Sequence, residues 1–238
     1  MNRKERRQKK RHNKQDVKVG ERTSLFSPKR LIQDAQACLD NGEVDSAKDL
    51  LNKATQLAPQ SWEPYHMQAL IAYSEGRLDD AGEMILEAIT RNDSDPALHA
   101  NCGAIMNLLG RPQEAEAACR HAIDLDPSNA EPHNNLAVSL EVQERLIEAQ
   151  EAALIAIELN PQYLEACVNL GNILMRSGEL LTAIDSYRAA IRIDPNAVLA
   201  RANLAVALRE TGQIDLADKE RQEALNIDPI IAKQIIND

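Results

Sequence analysis

The sequence predicts an all-α fold, a solenoid of six helix-turn-helix repeats, and three observations carry the prediction. First, Pro127, Pro161, Pro195 and Pro229 are spaced 34 residues apart, and Pro59 lies two periods upstream of Pro127 with Asp93 at the step between. With these residues set at place 32, the repeats run 28–61, 62–95, 96–129, 130–163, 164–197 and 198–231. Second, two places are then invariant: place 20 is Ala47, Ala81, Ala115, Ala149, Ala183 and Ala217, and place 27 is Ala54, Ala88, Ala122, Ala156, Ala190 and Ala224. Third, place 15 is Gly42, Gly76, Gly110, Gly178 and Gly212, with Glu144 as the exception.

Each unit reads as two amphipathic helices of about thirteen residues, because apolar residues recur at three- and four-residue spacing on both sides of place 15. The glycine just past the first helix supplies a left-handed backbone that a residue with a β-carbon adopts only at a cost. Glu144 therefore predicts a different or weaker turn in the fourth repeat. The pairs at Asp126, Asn160, Asp194 and Asp228, each followed by proline, end the second helix, since the residue before proline is pushed out of helical dihedrals. Alanine at places 20 and 27 lets facing helix backbones approach closely.

A 34-residue helix-turn-helix unit with small residues at places 8, 20 and 27 and proline at 32 resembles the tetratricopeptide repeat. Place 8 is Ala35, Ala69, Gly103, Ala137, Gly171 and Ala205. The resemblance covers residues 28–231 and implies a right-handed superhelical solenoid whose first helices line a concave face. Place 4, where the family carries a large aromatic, is Leu31, Tyr65, His99, His133, Cys167 and Arg201, and place 11 has no tyrosine. Arg201 is the sharpest departure. Its stem is expected to pack where a ring would, with the guanidinium reaching water or a neighbouring carboxylate, and with looser packing around it.

Hydrophobic residues make up 44% of the chain, and with one Phe, one Trp and four Tyr the core must be built from Leu, Ile, Ala and Val. No apolar run reaches the roughly 18–20 residues needed to span a bilayer, and the N-terminus lacks the apolar stretch of a secretory signal. A cytoplasmic protein is expected. Cys38, Cys102, Cys119 and Cys167 fall mostly at core places without metal-ligand spacing, so they read as buried small hydrophobes in a reducing compartment. His99 and His133 share place 4 of adjacent repeats, about 8–10 Å apart, too far for one metal. No cofactor is expected.

Charge divides the chain. Residues 1–30 hold twelve Lys or Arg against three acids, a net of +9, while the remainder carries −19. Residues 1–27 are expected to be a disordered basic tail, having almost nothing apolar to bury. Arg3, Lys4, Arg6, Arg7, Lys9, Lys10, Arg11 and Lys14 could engage RNA, the ribosome or another anionic surface by counterion release, dock on the acidic array, or remain solvated. Against nucleic acid stand the absence of aromatic stacking residues in 1–24 and the repulsion of a polyanion by the array.

The most specific functional signal is place 6, which is Asn101, Asn135, Asn169 and Asn203 in four consecutive repeats. A carboxamide offers a donor and an acceptor, so a ladder of them can hold the backbone of an extended peptide without reading its side chains. The alternative is that these asparagines bond within their own repeats. The array resembles the peptide-recognition superhelices that precede sugar-transferase domains, in which such a ladder grips substrate backbones, although no catalytic domain is expected here. Selectivity is expected from places 5 and 9, where Asn134, Val168, Val138, Asn172 and Val206 stand, with Glu63, Glu131 and Glu165 as a negative edge. The two-carboxylate clamp of chaperone-tail-binding repeats needs Lys at place 5 and Arg at place 6, and this chain has neither.

Ile230, Ile231, Ile235 and Ile236 crowd the last nine residues. Residues 232–238 are expected to be a short cap, one helical turn over repeat six, or an apolar end that pairs two copies. Nothing supplies nucleophile, base and orienting partner together, so no catalysis is expected. The expected function is a non-catalytic interaction scaffold binding an extended peptide segment in the groove. The alternative is a nucleic-acid- or ribosome-associated protein acting through the basic tail.

Overall fold

The computed structural model describes residues 27–236, and every regular element among them is helical. They fall into two compact units that divide after Asp93, where place 32 lacks its proline. The first contains α1 (Pro28–Asp40), α2 (Val44–Leu57), α3 (Glu63–Ser74) and α4 (Leu78–Arg91). The second contains α5 (Pro96–Leu108), α6 (Pro112–Leu125), α7 (Ala130–Val142), α8 (Leu146–Leu159), α9 (Leu164–Arg176), α10 (Leu180–Ile193), α11 (Val198–Glu210), α12 (Ile214–Ile227) and α13 (Pro229–Ile236). In the second unit each helix packs on its successor, and α5, α7, α9 and α11 also touch in series, so the first helices of the repeats form one layer and the second helices another.

Every alanine at places 20 and 27 is 1% exposed or less, which fixes the close approach of paired helices in all six repeats. Around them the second unit's core is aliphatic, with Leu140, Ile173, Leu174 and Leu208 fully buried. In repeats three and five place 8 faces place 24 across the helix pair. An added β-carbon would stand 2.4 Å from the Cys119 sulfur at Gly103 and 2.4 Å from the Tyr187 ring at Gly171. Glycine there makes room for the residue opposite.

The turns obey the expected geometry, including the one predicted to differ. The five place-15 glycines have φ between 68° and 79°, and Glu144 has φ 61°. Its amide donates to the Glu141 carbonyl and the Arg145 amide to the Leu140 carbonyl, both at 3.0 Å, matching the bonds of Gly110 to Asn107 and of Arg111 to Met106. The fourth repeat therefore keeps the common turn, with a β-carbon held in a left-handed backbone that disfavours it. The opposite ends of the repeats are closed by Asx turns. The side chains of Asp126, Asn160 and Asp194 accept from the amides of Ser128, Gln162 and Asn196 at 2.9 to 3.1 Å.

At three of the six place-4 positions a side chain reaches back to the preceding repeat. Tyr65 donates its hydroxyl to the Pro59 carbonyl at 3.4 Å, Arg201 donates Nε to the Pro195 carbonyl at 2.9 Å, and His133 bonds the Pro127 carbonyl. Each links place 4 to place 32 of the preceding repeat. Arg201 also meets the carboxylate anticipated for it: Nη1 lies 2.5 Å from Glu220 Oε2, with the two side chains 16% and 20% exposed.

The C-terminal segment corrects the expected single turn. Helix α13 starts at Pro229 itself and runs eight residues, with Asp228 Oδ1 accepting from the amides of Ile230 and Ile231 at 2.8 and 3.1 Å. Ala232 is fully buried beside Ala202 and Ala224, with Val198, Leu225 and Ile235 around it, while Ile230 is 72% exposed.

Candidate functional site

The four place-6 asparagines lie on α5, α7, α9 and α11, one on each first helix of the second unit, and all are half-buried. The side-chain hydrogen bonds of Asn169 and Asn203 run between repeats. Asn169 Nδ2 donates to Asn134 Oδ1 of the preceding repeat at 2.9 Å, and Asn203 Nδ2 donates to Asn172 Oδ1 of the preceding repeat at 2.9 Å. Asn107, nearly two turns further along α5 than Asn101, donates Nδ2 to the Asn135 carbonyl at 2.8 Å. Asn135 Nδ2 is itself buried and has no partner. For Asn169 and Asn203, one donor orients the carboxamide and the acceptor oxygen stays uncommitted among the described residues. An oriented side chain loses less freedom when a ligand binds.

A glycine in the core sets up part of this row. Because Gly171 has no β-carbon, the Tyr187 ring fits against α9, buried to 1% exposure, and its hydroxyl donates to Asn172 Oδ1 at 2.9 Å. That oxygen also accepts from Asn203, so both of its lone pairs are used and its orientation is fixed. Burial pushes the Tyr187 phenol well above its ordinary range, so it remains a donor.

The expected selectivity positions divide. Val138, Asn172 and Val206 at place 9 are half-buried beside the row, and Glu131 and Glu165 are exposed. Asn134 and Val168 at place 5 are not on the open face, being 5% and 6% exposed. Val168 packs with Cys167, Ala190, Ala197 and Ala200, and Asn134 serves as the acceptor for Asn169. A 13-residue first helix turns place 5 inward against the next repeat, while places 6 and 9 share a face. Sequence reading missed Tyr187 and Asn107 as supports of the row. The signal for Tyr187 was glycine at place 8 opposite a large residue at place 24.

Arg3, Lys4, Arg6, Arg7, Lys9, Lys10, Arg11 and Lys14 lie outside the described residues. All four cysteines are free thiols. Cys102, Cys119 and Cys167 are buried and Cys38 is half-buried. Burial pushes the Cys102 thiol up to about 11 and the Cys119 thiol up to about 12, far from the nucleophilic thiolate. His99 stacks edge-to-face on His121 of α6, with ring centroids 4.2 Å apart. No described helix is long and apolar enough to cross a membrane.

Comparison with known proteins agrees with the geometry. Family models described as tetratricopeptide repeat match residues 34–97, 66–130 and 118–151, and one described as TPR repeat matches residues 171–212. Among solved structures, the chain is similar to Pseudomonas aeruginosa pilF, with 18% identity, a TM-score of 0.72, and coverage of 85% of this chain and 92% of that one. It is also similar to PilW, a widely conserved type IV pilus biogenesis factor, with 17% identity, a TM-score of 0.77 and coverage of 85% and 94%. A third similar structure is YrrB, described as a TPR protein with an unusual peptide-binding site, with 22% identity, a TM-score of 0.57 and coverage of 77% and 96%. No curated protein sequence matches the chain.

Proposed function

The chain belongs to the tetratricopeptide repeat family, whose members serve as protein-interaction scaffolds, and on that premise we propose that it binds an extended segment of a partner protein along the face that carries Asn101, Asn135, Asn169 and Asn203. One observation carries the reading. The carboxamides of Asn169 and Asn203 are each held by a bond to the preceding repeat and keep an acceptor for a ligand amide. Successive first helices lie about 8–10 Å apart, which is close to three residues of extended chain, so the row can meet a strand-like ligand once per repeat. Val138 and Val206 beside the row favour small apolar side chains, and Glu131 and Glu165 favour some basic ones. The similarity to YrrB adds support by analogy of fold.

The test is a pull-down from source lysate with the intact chain and with a variant carrying alanine at the four asparagines, each with and without nuclease. Circular dichroism confirms that the variant is folded. Protein partners kept by the intact chain after nuclease and lost by the variant are the expected result. Partners that vanish with nuclease and ignore the asparagines would sink the reading and move the function to the basic segment from Arg3 to Lys14.

A further inference from the structure

A second recognition feature lies away from the carboxamide row, between the outer helices. A cleft of about 320 Å³ opens between α6 and α8, with α7 as its floor. Ile123, Leu136, Ala152 and Ile155 line it with aliphatic surface, and Asp124 and Glu151 stand in its lining as carboxylates without an ion-pair partner among the described residues. The other two charges there, Arg120 and Glu148, are already engaged. Arg120 lies 2.9 Å from Glu116, and Glu148 lies 2.5 Å from Arg145.

At the floor is His133, 7% exposed, whose Nε2 is buried without any hydrogen-bond partner. Its other ring nitrogen serves the Pro127 carbonyl, and burial lowers its pKa and keeps the imidazole neutral. Nε2 is therefore a lone pair with nothing donating to it, in a place from which water has been largely excluded. An aliphatic cleft lined by a histidine with an unpartnered acceptor and by two unpaired carboxylates suits a cationic donor on an apolar stem. It repels anions and leaves the charge of a neutral ligand's surroundings unbalanced.

The chain supplies its own precedent. At the equivalent place of repeat six, Arg201 lays a guanidinium between the helices and meets Glu220 at place 23. In repeat four the place-4 residue is the shorter His133, place 23 is the small Ala152, and the carboxylates of the lining are Asp124, Glu148 and Glu151. The repeat geometry that is filled from within at Arg201 is left open at His133.

We propose that this cleft receives an arginine side chain of a partner polypeptide, the guanidinium donating to His133 Nε2 and pairing with Asp124 and Glu151. The site is independent of the carboxamide row.

The test uses the full chain labelled with 15N, two synthetic pentapeptides and the imidazole signals of His133. One probe is acetyl-Ala-Ala-Arg-Ala-Ala-amide, and the other carries citrulline in place of arginine, which keeps the shape and loses the charge. The expected result is a saturable shift of the His133 Nε2 signal with the arginine peptide and none with the citrulline peptide. Affinity is expected to fall at least tenfold in Asp124→Asn/Glu151→Gln, whose substitutions lie at the solvent edge and leave the fold intact. No shift at millimolar peptide, or equal shifts with both peptides, would overturn the proposal. So would a signal already shifted in the chain alone and returned by replacing the Lys and Arg of residues 3–14 with Gln, which would assign the cleft to the chain's own basic segment.

Discussion

The Tyr187 ring stands where a β-carbon on residue 171 would have to lie, 2.4 Å away, and from that position its hydroxyl reaches Asn172. Gly103 and Cys119 show the same relationship in repeat three. Repeat four resolves it differently, pairing Ala137 with Ala153, both fully buried.

Gly103→Ala is therefore expected to destabilise the protein by about 1–3 kcal/mol through overpacking. Adding Cys119→Ala should return most of that loss, because it recreates the alanine pair of repeat four. Gly171→Ala should cost at least as much, since an aromatic ring yields less readily than a thiol. Urea unfolding of the single and double variants reads the outcome, and equal stability of Gly103→Ala and wild type would refute the packing argument.

Glu144→Gly should raise stability by about 0.5–1 kcal/mol, because glycine removes the left-handed strain at φ 61°. The substitution forfeits the contact of Glu144 with Arg176 at 2.5 Å, an exposed pair of small value. Glu144→Ala loses the same contact and keeps the strain, so it should not stabilise. A higher urea midpoint in the alanine variant than in the glycine variant would contradict this.

Arg201→Met should cost about 1.5–3 kcal/mol, the range for losing a hydrogen bond to a charged group, since it removes the partner of Glu220 and the donor to Pro195 together. Arg201→Met/Glu220→Leu should recover much of the loss, because an apolar pair leaves no stranded charge. Thermal and urea unfolding check both. If the double variant is no better than the single, the ion pair is not what holds this corner.

Stability should be insensitive to the cysteines below pH 9 and should fall as pH rises from 9 toward 12. The buried thiols of Cys102 and Cys119 are raised to about 11 and about 12, so the unfolded chain loses its protons first and is favoured in that window. The slope approaches about 1.4 kcal/mol per pH unit for each thiol between its unfolded and folded pKa. Cys119→Ala should shed its share, and urea unfolding at pH 8 and pH 10.5 measures the difference.

The period, both alanine places and the turn at place 15 were legible because each rests on local backbone chemistry repeated six times. At Glu144 the turn is not the different one that the sequence allowed, and the strain of its β-carbon remains. The helices on either side of it are packed through the fully buried Ala137 and Ala149, so tertiary context overrode the residue's own preference. The carboxamide row was legible as a pattern, but its wiring was not. Sequence spacing gives which residues share a helix face, whereas the bonds of Asn169 to Asn134 and Asn203 to Asn172 depend on how far neighbouring repeats are offset. The same offset buries Val168, which a helical wheel alone leaves open.

Place 4 bears on how such a repeat tolerates rewriting. Tyr65 and Arg201 donate a hydrogen bond to a carbonyl at place 32 of the preceding unit, and His133 reaches the third such carbonyl. Phenol, imidazole and guanidinium act there as synonyms, spelled with unlike shapes and carrying one meaning. A vocabulary defined by that gift, instead of by ring or bulk, admits residues that a consensus built on silhouettes would strike out.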